Sequence, residues 1–189
     1  MKKLLAIMLI LTFCLSLSAC KNKDENSSDT KTTPAQTECT EHDIRLLMET
    51  NLDCYYLFYV APLGEGGGTD SDGYTKAETS FFTSYSELSD FVTKAYTNEK
   101  SDFLLNQYPS EDNPLYIDKN GSIYVDLDAV KPVEYNVLWD DSYTVTFTEN
   151  SPQKCSFTLT TTDFDGNEYV TSGSAVFENG KWLLTDMVY

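Results

Sequence analysis

From Tyr143 to Tyr189 the apolar residues recur every second position. Tyr143, Val145 and Phe147 alternate with Thr144, Thr146 and Thr148; Cys155, Phe157 and Leu159 alternate with Ser156, Thr158 and Thr160. A period of two places successive side chains on opposite faces of a strand. Here one face is apolar and the other carries hydroxyls, the pattern of an antiparallel sheet with one face on a core and the other in water. Asp165-Gly166 and Asn179-Gly180 separate the runs, and both pairs favour the positive φ angles of tight hairpins. The same signal appears earlier. Leu115-Tyr116-Ile117 and Ser122-Ile123-Tyr124-Val125 flank Lys119-Asn120-Gly121. Glu134 to Trp139 reads as a further strand, turned at Asp140-Asp141.

The half before residue 115 has a different period. Thr40 is an N-cap residue, and Glu41 and Asp43 suit the positive end of a helix. Ile44, Leu47, Met48, Asn51, Tyr55 and Phe58 follow at helical spacing, so a helix is expected from about Glu41 to Tyr56, with Cys54 at the edge of its buried face. Tyr55 to Val60 is apolar all round, and reads as a helix end sunk in the core or as a short strand. Pro62 to Gly73 holds five glycines in twelve residues and reads as a loop. Tyr74 to Phe82 fits a short strand. Ser84 and Glu87 form a capping box for a second helix, with Leu88, Phe91, Val92, Ala95 and Tyr96 as its apolar face. A short third helix is expected from Asn98 to Asn106, ended by Pro109. Helices followed by an antiparallel meander describe an α+β domain, N-terminal helices packed on one sheet, over residues 39–189.

The first 38 residues lack either period. Lys2 and Lys3 precede an apolar run from Leu4 to Leu17, too short for the roughly 20 residues that span a bilayer as a helix. Leu17-Ser18-Ala19-Cys20 then has the pattern of a bacterial lipobox. Residues 1–19 are expected to be a lipoprotein signal peptide, and Cys20 the site of lipid attachment on the outer face of the cell membrane. Residues 20–38 are polar and predict a flexible tether, with a reach of about 24 Å for a coil of its length.

Charge narrows the partners. The full chain carries a net −17, and cleavage before Cys20 removes two lysines and no acid. Such a domain repels polyanions, nucleic acid among them, and attracts a basic protein, a basic cleft or a divalent cation. The acids placed to enter a partner's cleft are those on turn tips. They fall in three groups: Asp140 and Asp141; Asp163, Asp165 and Glu168; and Glu65, Asp70 and Asp72.

Nothing in the sequence announces catalysis. The single histidine, His42, lies three residues from Cys39 at a helix start, with no third group to orient it. One histidine and scattered cysteines do not make an ordinary zinc site. Asp70-Ser71-Asp72-Gly73 and Asp163-Phe164-Asp165-Gly166 resemble calcium loops faintly. With each Gly at position six, position twelve falls on Thr79 and Ser172, and position one on Gly68 and Thr161; both lack the needed ligands. Asx turns account for both. No metal or cofactor is expected. Cys39 and Cys54 flank a helix and stand about 22 Å apart, too far to pair. A Cys54–Cys155 disulfide and buried free thiols both remain open.

Leu57-Phe58-Tyr59-Val60 with Leu63-Gly64, Tyr85-Ser86-Glu87-Leu88, the Tyr96-Thr97-Asn98-Glu99-Lys100 junction, Pro114-Leu115-Tyr116-Ile117, Asn120 to Val125 and the closing Asn179-Gly180-Lys181-Trp182 together carry a resemblance. Over residues 41–189 the chain resembles the IseA-type DL-endopeptidase inhibitor family of Gram-positive secreted proteins and lipoproteins. That resemblance implies a non-enzymatic protein that binds cell-wall peptidoglycan hydrolases of the NlpC/P60 class and blocks their cysteine-containing clefts. The alternative is a non-catalytic binding lipoprotein of cystatin-like or NTF2-like shape, with Tyr143, Phe147, Phe157 and Trp182 lining a pocket.

Overall fold

The computed structural model describes residues 38–78, 80–129, 133, 136–140 and 142–189. The signal, Cys20, the tether before residue 38 and Asp141 lie outside the described residues. Residues 36–189 form one compact unit. The fold is α+β, with helices and two antiparallel sheets around one apolar core.

Helix α1 (Glu41–Tyr55) starts where the cap chemistry places it. Thr40 Oγ1 accepts the Asp43 N–H at 3.2 Å, and Asp43 returns the bond by accepting the Thr40 N–H at 2.8 Å. Its inner face buries Ile44, Leu47, Met48 and Cys54. The all-apolar continuation Tyr56–Val60 is a π-helical turn, a helix end and not a strand. Asn51, the one polar residue on the inner face, is fully buried and fully bonded. Its amide donates to the Val188 carbonyl at 2.6 Å and accepts the Val188 N–H and the Tyr96 hydroxyl. A buried amide left unpaired would cost about 1–3 kcal/mol, so this residue fixes where the C-terminal end of the chain must lie.

Helix α2 (Tyr85–Ala95) begins at Ser84, whose hydroxyl accepts the Glu87 N–H at 3.2 Å. It buries Leu88, Val92 and Ala95. Helix α3 (Asn98–Asp102) runs into a second π-helical turn, Phe103–Gln107, and a cis Tyr108–Pro109 bond follows.

The smaller sheet has the order β1-β2-β4-β3, built from β1 (Glu65–Thr69), β2 (Thr75–Ala77), β3 (Tyr116–Lys119) and β4 (Ser122–Val125). Two expectations are corrected here. Among the described residues the sheets number two, not one; β2 falls within the strand expected at Tyr74 to Phe82. The glycine-rich stretch expected to be a loop contains strand β1. Its glycines permit the pairing instead of preventing it. A Cβ on Gly66 would sit 2.6 Å from the Ala77 carbonyl oxygen, so only glycine lets the two backbones approach. Glu65 pairs with Ala77 and Thr69 with Thr75, so the three glycines between form a bulge.

The larger sheet contains β5 (Val137–Leu138), β6 (Thr144–Asn150), β7 (Lys154–Asp163), β8 (Glu168–Glu178) and β9 (Lys181–Leu184). Strands β6 to β9 are the expected meander. The Asn-Gly hairpins form as read, with φ of 58° and 82° at Asn120 and Gly121, and 54° and 83° at Asn179 and Gly180. Asp141 of the expected turn lies outside the described residues; the strands on either side of it, β5 and β6, do not pair with each other. Strands β5 and β6 both pair antiparallel with β7, Leu138 opposite Thr162 and Thr144 opposite Thr160. They are one edge strand interrupted between Leu138 and Thr144, whose partners on β7 are separated by Thr161 alone. The Thr161 hydroxyl closes the gap by donating to the Leu138 carbonyl at 2.6 Å. Arg45 of α1 holds the far end, donating to the Tyr143 carbonyl at 2.9 Å with its guanidinium over the Tyr143 ring.

Helices α1 and α2 pack on each other and on β9. Gly173 of β8 makes room for this core. A Cβ there would lie 2.6 Å from the Phe157 ring and 2.7 Å from Val188.

Candidate functional site

The aromatics that could have lined a pocket in the sheet are packed instead. Tyr143, Phe157 and Trp182 are buried in the core, and Phe147 packs against it half-buried.

An open apolar surface lies elsewhere. The end of α1 with its π-helical turn, the Ala61–Gly64 connection, the segment after β2 and Phe91 of α2 enclose a groove of about 430 Å³. Tyr56, Leu57, Pro62, Phe82 and Phe91 are among its lining residues. Phe82 is buried and meets Phe91 at 5.4 Å between ring centroids, which gives the groove a firm floor. Phe81, the residue before it, also lines the groove and is 78% exposed. Tyr56 is also about half exposed. A phenylalanine held in water beside an apolar trough is a feature that monomeric surfaces usually avoid in patches.

Two acids flank the trough. Asp53 lies on the last turn of α1, where partial burial, and then the charge of Glu49, pushes its carboxyl up. Glu78 accepts the Ser80 N–H at 2.8 Å and holds the segment leading to Phe81. The groove thus offers apolar walls with negative charge at the rim. It suits an apolar side chain next to a cationic one. Sequence reading missed it because its walls come from four separate segments; the adjacent aromatics at 81 and 82 were the only local sign.

The acids on turns divide into two kinds. Asp70 is engaged: its Oδ1 accepts the Asp72 and Tyr74 N–H groups at 2.9 and 3.1 Å, and its Oδ2 pairs with the Lys119 ammonium. Lys119 holds its carboxyl below the usual range. Lys119 also reaches Asp72 at 3.0 Å. Asp163 is engaged by its own turn, accepting the Asp165 and Asn167 N–H groups at 2.9 and 2.8 Å and the Asn167 amide at 3.0 Å. The Asn167 side chain is the main cause of its lowered pKa. Asp140 accepts the Ser142 N–H at 2.8 Å and its hydroxyl, and is lowered likewise. Glu65, Asp165 and Glu168 are exposed, and their carboxylates have no hydrogen-bond or ion-pair partner among the described residues. Glu65 and Glu168, expected on turn tips, are instead the first residues of β1 and β8. Both Asp-x-Asp-Gly loops are Asx turns, as read from the sequence. Among the described residues no group of three His, Cys, Asp or Glu is placed to hold a metal ion.

His42 is exposed on the first turn of α1 while Cys39 is buried beneath it. All three described cysteines are free and buried. Burial pushes the Cys54 thiol up to about 12. The neighbour of Cys155 is Cys39, and not the Cys54 that sequence reading offered as its partner. No helix of the described residues is long and apolar enough to cross a membrane.

No family model matches this chain, and no curated protein matches it.

Proposed function

We propose that this chain is an extracytoplasmic lipoprotein, anchored through Cys20, that binds and inhibits a cell-wall DL-endopeptidase of the NlpC/P60 type. The observation that carries the reading is the exposed Phe81 beside an acid-rimmed apolar groove on a strongly acidic chain. An aromatic anchor with a complementary trough supplies affinity when it leaves water. A net charge of −17 supplies steering toward a basic or polar cleft, and acts on the association rate more than on the final affinity. The domain's role is to hold a partner, not to turn over a substrate. This agrees with the resemblance of residues 41–189 to the IseA-type inhibitors.

The test uses the chain from residue 20 onward, with Cys20→Ser to keep it off membranes, against native NlpC/P60 hydrolases. Expected is stoichiometric inhibition of peptidoglycan cleavage that weakens as salt rises. Phe81→Ala should weaken inhibition roughly tenfold or more while leaving thermal stability unchanged. No inhibition across such a panel at micromolar protein overturns the reading.

A further inference from the structure

Cys39 lies just before α1, and Cys155 lies at the start of β7, the central strand of the larger sheet. The fold brings them together through Asn150. That residue is the ladder partner of Cys155 across β6 and β7. Its side-chain amide grips the backbone of Cys39 on both sides, accepting the Cys39 N–H at 3.1 Å and donating to the Cys39 carbonyl at 2.8 Å. Cys39 is therefore held against the Asn150 side chain, which shares a face of the sheet with Cys155. Its side chain turns inward, 3% exposed, toward the fully buried Cys155, and the two thiols are electrostatic neighbours, while the Cys39 Sγ–H donates to the Thr40 carbonyl at 3.8 Å. Both ends of the contact are fixed by structure that does not involve sulfur.

We propose that Cys39 and Cys155 are a redox pair, closing one disulfide in an oxidising compartment that fastens the start of α1 to the central strand, while Cys54 stays a thiol. The inference is independent of the partner-binding reading. The oxidant is a disulfide of the glutathione or protein class. One thiol of the pair, as thiolate, attacks a sulfur of that disulfide and expels one thiolate, leaving a mixed disulfide. The second thiol gives up its proton, attacks the protein sulfur of the mixed disulfide and expels the other thiolate. Two protein thiols lose two electrons and two protons, and the oxidant leaves as two thiols.

Access comes from local opening. Glu38 and Thr40 on either side of Cys39 are exposed, and lifting this short segment breaks the two Asn150 bonds and draws the Cys39 side chain out of the core. Cys54 has no such route. It is fully buried on the inner face of α1, at the other end of the helix from Cys39.

The experiment treats the full chain with oxidised glutathione, blocks free thiols at low pH, and maps the digest by mass spectrometry without reduction. Expected is a peptide pair joined through Cys39 and Cys155, with Cys54 recovered as a blocked thiol. A lasting glutathione adduct on either residue, a link to Cys54, or three blocked thiols overturns the proposal. Because the bond closes the long loop from residue 39 to residue 155, the oxidised protein should melt about 10 °C above the reduced one. Cys39→Ser, at the margin of the core, should abolish that difference. A lower melting temperature on oxidation, or a difference that survives Cys39→Ser, also overturns it.

Discussion

The turns at residues 70–74 and 163–167 share the same hydrogen bonds. In each, the aspartate N–H donates to the carbonyl four residues on, Tyr74 at 2.8 Å and Asn167 at 2.9 Å. In each, the glycine N–H returns to the aspartate carbonyl, and the carboxylate accepts the N–H groups two and four residues ahead. Gly73 and Gly166 have φ of 87° and 81°. The difference is what meets the second carboxylate oxygen. At Asp70 it is the Lys119 ammonium from β3; at Asp163 it is the neutral amide of Asn167 within the turn itself. The first turn is thereby tied to its sheet and its charge offset. The second keeps its charge and adds the unpartnered Asp165 and Glu168 beside it. Four residues of sequence decide how the chain turns, and a distant neighbour decides what the turn presents to a partner.

That contrast is best broken at the carboxylates. Asp70→Ala removes two backbone bonds and the partner of Lys119, whereas Asp163→Ala removes bonds within one turn. Melting temperatures should fall by roughly 6 °C and roughly 3 °C respectively. Equal losses would mean that Lys119 contributes nothing at this site.

The glycines should behave alike, because their cost is local. A Cβ at Gly73 or at Gly166 meets nothing within 4 Å, so only the positive φ opposes it. Each Gly→Ala change should cost about 1 kcal/mol in denaturant titration. A large difference between the two would show that the turns are not the same device.

Titration sharpens the electrostatic half of the contrast. Both carboxyls are depressed, Asp70 chiefly by Lys119 and Asp163 chiefly by the Asn167 side chain. A depressed carboxyl stabilises the fold above the unfolded-state pKa of about 4, and that stability is lost as pH falls through the folded value. Lys119→Met should move the Asp70 pKa upward and leave Asp163 where it is, as read by carboxyl-carbon NMR. An unmoved Asp70 would contradict the pairing. The smallest stability effect belongs to Asp165→Asn with Glu168→Gln, about one degree or less, since nothing in the fold leans on either carboxylate. If that double variant leaves hydrolase inhibition and its salt dependence untouched, this turn does not steer the partner.

Much of the fold was legible where a local rule decides the outcome. The caps at Thr40 and Ser84, both Asn-Gly hairpins, the Asx turns and the alternation of β7 all depend on neighbours within four residues. What escaped depends on pairing across the chain. Glycines at 66–68 read as a loop because entropy disfavours them in a strand, yet close approach to Ala77 requires them there. Glu134 to Trp139 read as a strand turned at Asp140-Asp141, two acids that follow an apolar run. Nothing local tells a turn from an interruption within one strand; that depends on both flanks pairing with β7. The binding groove was less legible still. Only Phe81 and Phe82 hint at it, and their opposite fates, one exposed and one buried, are set by α2.

The interruption between β5 and β6 has a further consequence. A row of unsatisfied N–H and C=O groups along the rim of a sheet invites a strand from another molecule, the first step toward fibrous association. The opposite rim, at β9, is shielded: the Thr97 N–H donates to the Leu184 carbonyl at 3.0 Å, and Lys181 donates to Thr93 at the end of α2. The β6 rim has no helix over it, but a foreign strand could stay in register for only a few residues before meeting residues 139–143, pinned by Arg45 and Thr161. The break between β5 and β6 thus limits the length over which a second molecule could pair with this edge.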